Sequence, residues 1–118
     1  MANPNSKVEF QQRIQPITDD LIRHLRGMVP RDWRIAMLQL DVSFSPLNGT
    51  RSTRHRLWNP LTDAEVHDFP EALFHNTSAL HAVFTEFHQV WTRCLVQIRP
   101  NSRGGNECEI NYHYARPA

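Results

Sequence analysis

Apolar residues recur at spacings of three and four from Phe10 through Ile14, Ile17, Leu21, Leu25 and Met28. That period gathers them on one stripe of a helix, with Lys, Gln, Asp and Arg on the other side. Pro16 lacks an amide donor and crowds the carbonyl one turn back, which predicts a kink or a restart there. Gly27 and Pro30 predict the stop.

Between Trp33 and Phe44 the period changes to two. Ala36, Leu38, Leu40, Val42 and Phe44 make one apolar face, while Ile35, Met37, Gln39, Asp41 and Ser43 make a second that turns polar. Ser45-Pro46-Leu47-Asn48-Gly49 predicts a turn, because Asn and Gly tolerate positive φ and Pro holds its own φ. A hairpin to the strand Arg51–Trp58 follows, and its cations suit an edge or solvated strand.

Pro60 to His75 reads as a crossover with one short helix, capped by Thr62. Asn76, Thr77 or Ser78 then caps a longer helix with the stripe Leu80, Val83, Phe84, Phe87, Val90 and Trp91. A closing hairpin follows: Cys94, Val96 and Ile98 alternate with Leu95, Gln97 and Arg99, Asn101–Gly105 turns, and Cys108, Ile110, Tyr112 and Tyr114 return. The expected fold is therefore one α+β domain over residues 1–118, in the order α-β-β-α-β-β. It has an antiparallel sheet of about four strands with the helices packed on one face. The other face would carry Met37, Gln39, Asp41, Gln97, Arg99, Glu109, Asn111 and His113.

Composition narrows the function. The formal net charge is +1, which gives neither the basic field that grips phosphate backbones nor an acidic surface that mimics them. No apolar run approaches the ~20 residues that cross a bilayer, and MANPNSKVEF lacks the features of a secretory signal, so a cytoplasmic protein without membrane contact is expected. The two cysteines fall on strands offset from each other and read as reduced, buried thiols rather than as a disulfide or nucleophile.

The seven histidines contain no i, i+4 pair. His81 and His88 share a helix side but lie two turns, roughly 10 Å, apart. No metal or cofactor is expected. Gly104-Gly105 precedes a strand, not a helix, and so forms no phosphate cradle. The Asn76-Thr77-Ser78 sequon reads as a helix cap. Asp41 stands out, because a carboxylate on a mainly apolar strand needs a donor or solvent. Arg51, Arg54, His55 and Arg56 beside Trp58 form a basic-aromatic cluster able to hold phosphate and stack a base, or simply to keep an edge strand soluble.

Two landmarks carry a family resemblance. The first is Met28-Val29-Pro30-Arg31-Asp32-Trp33 running straight into RIAMLQLDV. The second is HAVFTEFHQVW leading through Trp91-Thr92 to a strand, a Gly-bearing turn and EINYHY. Over residues 17 to 115 this pattern resembles the YezG-like bacterial immunity and antitoxin proteins. The resemblance implies a non-enzymatic protein that neutralises a cognate polymorphic toxin domain by occluding its active site. The chain departs from the acidity usual in that family, since it carries Arg51, Arg54 and Arg56.

The open sheet face and its rim then supply the candidate partner-binding residues: Asp41, Arg54, Arg56, Trp58, Arg99, Glu109 and His113. The competing readings are a small nucleic-acid-binding module built on Arg51–Trp58 and a hydrolase pairing His113 with Asp41 or Glu109. A homodimer through an exposed sheet edge is also open.

Overall fold

The computed structural model describes residues 4–44, 47, 51–100 and 106–114 of the chain. The elements run α1 (Pro4–Met28), β1 (Ala36–Phe44), β2 (Arg51–Trp58), β3 (Glu65–Val66), α2 (Glu71–Glu86), β4 (Trp91–Pro100) and β5 (Asn106–Tyr114). The turns expected around residues 45–49 and 101–105 lie outside the described residues, Leu47 apart.

The helices and the strands belong to separate compact units. One is drawn from Met1–Met28 with Phe69–Val90, the other from Val29–Asp68 with Trp91–Ala118. In the helical unit, α1 buries Phe10, Ile14, Leu21 and Leu25 from the predicted stripe, together with Thr18. The helix runs on through Pro16 as a single element. It also includes Gly27, so the stop comes two residues later than a glycine terminator just outside the helix would place it.

Helix α2 begins five residues before the Asn76 cap that the sequence suggests. Its N-cap is Pro70, extended and making no side-chain capping bond, and Glu71 in the first turn complements the helix dipole. Asn76 instead donates from Nδ2 to the Ile17 carbonyl of α1 at 3.0 Å. The buried stripe is Leu73, Thr77, Leu80, His81, Val83 and Phe84. Phe10 meets the Phe84 ring edge-on at 4.9 Å, and Arg13 grips Glu86 through two hydrogen bonds of 3.0 and 2.8 Å.

The second helix ends sooner than expected, because Phe87 caps it and His88 turns left-handed at φ 60. The His88 amide donates to the Thr85 carbonyl at 3.0 Å and the Gln89 amide to the Phe84 carbonyl at 2.8 Å. That is the Schellman pattern, with His88 in the place glycine usually takes. Trp91 accordingly belongs to β4, where it is fully buried beside Tyr112 at 6.0 Å.

Among the described residues the sheet has five strands in the order β3-β2-β1-β4-β5, one more than expected, and the adjacent pairs are antiparallel. The extra strand, Glu65–Val66, replaces the short helix expected near Thr62. Only one helical turn forms there: the Asp63 amide donates to the Asn59 carbonyl at 2.8 Å, and Asp63 itself goes left-handed at φ 62. The buried Asn59 side chain accepts from the Leu61 amide at 2.9 Å, closing the loop as an Asx turn. A local helix signal is thus consumed in a tight connection between β2 and β3.

Register follows the period-two pattern. Leu38 lies opposite Leu57 on one side and Val96 on the other, and Leu40 lies opposite His55 and Cys94. Leu38, Leu40, Leu57, Cys94 and Val96 are all buried. Cys108 and Tyr114 on β5 are exceptions on that face, both exposed. Cys108 pairs with Ile98, yet β5 ends the sheet and Cys108 is exposed, contrary to the buried thiol expected from alternation. Neither cysteine forms a disulfide.

Candidate partner-binding face

In an antiparallel sheet, residues directly opposite one another share a face. The pairs Met37↔Trp58, Gln39↔Arg56 and Asp41↔Arg54 therefore put Trp58, Arg56 and Arg54 on the face of Asp41. The pairs Asp41↔Arg93, Arg93↔His113, Met37↔Gln97 and Gln97↔Glu109 extend that face to the far edge. Arg99, two residues beyond Gln97, shares it. All seven candidates lie on one side of the sheet, in three groups.

The first group centres on Asp41. Arg93 donates Nε–H to Oδ1 at 2.7 Å, and Gln39 donates to Oδ2 at 2.7 Å. Burial would raise the Asp41 carboxyl, but these two hydrogen bonds and the charges of Arg93 and Arg54 outweigh it and hold the group below its ordinary pKa. Asp41 is thus a charged acceptor at neutral pH. With Val42, Thr92, Arg93 and His113 it lines an open depression of ≈ 430 Å³.

Arg93 was missing from the sequence-based candidates. The signal was present: stepping back by twos from Arg99 through Gln97 and Leu95 arrives at Arg93 on the polar side.

The second group sits on β2 and β3. The Arg56 guanidinium lies 4.2 Å from the centre of the Trp58 ring and is hydrogen-bonded to Glu65. That bond, with the Arg56 charge, holds the Glu65 carboxyl below its usual range. The cation–π contact covers one face of the indole. The third group is at the other end of β4 and β5, where Arg99 and Glu109 line a smaller depression of ≈ 210 Å³ with Gln97, Glu107 and Cys108. Arg99 lies six residues from Arg93 on the same strand, about 20 Å away, so these two groups do not form one pocket.

The basic cluster of β2 does not act as a unit. His55 points to the opposite face, across from Leu40, as Arg51 does across from Phe44. Burial lowers the His55 pKa, partly offset by a hydrogen bond with the Thr53 backbone. Of the hydrolase pairing, Asp41 and His113 line one depression with Arg93 between them in the register, and the hydrogen bonds that hold Asp41 come from Arg93 and Gln39.

Among the described residues, no three His, Cys, Asp or Glu side chains gather as a metal-holding group. No described helix is long and apolar enough to cross a membrane. Compared with known proteins, the chain matches no family model and no curated sequence.

Proposed function

We propose that this chain is an immunity protein that binds a cognate toxin domain in the cytoplasm through the face bearing Asp41, Arg54, Arg56, Trp58, Arg93, Arg99, Glu109 and His113, and so occludes the toxin's active site. The observation that carries this reading is the register, which sets an aromatic anchor and charges of both signs on one solvent-facing sheet surface. Tryptophan and arginine dominate the energetics of tight interfaces, and fixed charges select the partner and speed encounter.

The five strands span four gaps, so the face measures roughly 20 by 25 Å in plan. That is short of the ~800 Å² each partner contributes to a standard interface. Flanking loops must therefore complete the contact. Nucleic-acid binding is the weaker reading, because Arg56 and Arg93 are already paired with carboxylates and Arg56 occupies one face of Trp58.

The test is co-expression with a toxin domain encoded beside this gene. Arg54→Ala, Trp58→Ala and Arg93→Ala should each weaken the complex at least about ten-fold, equivalent to about 1.4 kcal/mol. Melting temperature should change little. The binding face is misassigned if protection survives all three changes and is instead abolished by a helix-surface change such as Arg23→Glu.

A further inference from the structure

We propose that two copies of this chain join edge to edge through β5, with Ile110 on the twofold axis and Glu107 of each copy opposite His113 of the other. This inference does not depend on the toxin-binding reading. It starts from a contrast between the two edges of the sheet.

An edge strand presents backbone donors and acceptors to any passing strand, and proteins suppress this with charged side chains, Lys above all, with prolines, bulges or a covering segment. The β2 side carries Arg51, Arg54 and Arg56, and its end is paired by β3 at Leu57 and Trp58. Among the described residues, β5 closes the opposite side of the sheet. Its nine residues, NECEINYHY, include no Pro, Gly, Lys or Arg, and its carboxylates are Glu107 and Glu109. Like charges repel a second copy only where they face each other, so this edge admits a copy in a register that keeps them apart.

Symmetry and charge then select the register. A twofold axis perpendicular to the sheet keeps each face on its own side, so a residue can pair only with one of the same face, and paired residue numbers must sum to an even value. Centring on Ile110 uses the whole strand and sets Glu107 against His113 and Glu109 against Asn111. Centring on Glu109 would oppose that carboxylate to its own copy. Centring on Asn111 would shorten the ladder and leave Glu107 unmatched.

Cross-strand Cβ atoms lie about 5 Å apart, within reach for an imidazole N–H to donate to a carboxylate, and symmetry makes each pair twice. The product is a continuous sheet formed from two five-stranded ones. Their polar faces lie side by side.

Sedimentation equilibrium of the full chain, from micromolar to sub-millimolar concentration, tests this. The mass should rise from 13.8 kDa towards twice that value. His113→Glu, which sets two carboxylates face to face, should weaken the dimer about ten-fold. Combining it with Glu107→Lys should restore the dimer. In a separate variant, Cys108→Ser with Ile110→Cys should give a disulfide-linked dimer on mild oxidation, whereas Cys108→Ser with Glu107→Cys should not. A monomer throughout, or a dimer indifferent to His113→Glu that fails to cross-link at position 110, overturns the proposal.

Discussion

Arg93 and Asp41 lie opposite each other on β4 and β1 and are joined by a 2.7 Å hydrogen bond from the guanidinium Nε to Oδ1. The carboxylate is about one-third exposed and the guanidinium about half, 35% and 52%. The pair is therefore screened by solvent, and its contribution to stability is modest, about 0.2–1 kcal/mol.

Its pH dependence has a definite sign. The folded pKa of Asp41 lies below the unfolded value of about 3.9. The stabilisation is therefore present above the unfolded pKa and is lost as pH falls through the folded one. Asp41→Asn should lower unfolding free energy by about 0.2–1 kcal/mol at neutral pH, and the difference should shrink on acidification. Denaturant titrations at neutral and acid pH would show it; a gap that widens in acid would refute the assignment.

Phe84 is 1% exposed and meets Phe10 edge-on. Phe84→Ala should cost about 3–5 kcal/mol through lost burial and the cavity left behind. A chemical-denaturation loss under about 1 kcal/mol would contradict a packed site at this position.

Two glycine exchanges should act in mirrored ways. Gly27 lies inside α1, and a Cβ built there meets nothing within 4 Å, so Gly27→Ala should stabilise by about 0.5–1 kcal/mol. His88 carries a side chain in the left-handed region at the end of α2, so His88→Gly should also stabilise, by about 0.5–1 kcal/mol. Thermal melts of the two single variants, each expected to rise, check both.

The two thiols should separate in reactivity. Burial, aided by the nearby Cys108, pushes the Cys94 thiol up to about 12, while Cys108 is exposed. A thiol-specific reagent at mildly alkaline pH should modify one cysteine rapidly in the folded protein and the second only after denaturation. Cys108→Ser should abolish the rapid phase.

What the sequence determined by itself was the set of local periods. Alternation from Ala36 to Phe44, from Cys94 to Arg99 and from Cys108 to Tyr114 was enough to divide the strand residues between two faces, because side-chain direction in a strand depends only on parity. The stripe of α1 was legible in the same way, through a period that any helix must obey. Asp41 drew attention as a charge on a mainly apolar strand, but its partner did not, because Arg93 lies 52 residues away and only strand pairing brings it across.

Tertiary structure decided what local signals left undetermined. Asn76 has cap chemistry but is spent on the Ile17 carbonyl, so α2 starts earlier. Thr62 has cap chemistry, but the one helical turn there runs from Asn59 to Asp63 and ends at the left-handed Asp63, just before β3 pairs with β2. Cys108 has the parity of a core residue, yet it is exposed on β5, which among the described residues is paired with β4 alone. Hydrogen bonding between distant segments sets strand order, and strand order decides which apolar position is buried and which charge meets its counter-charge.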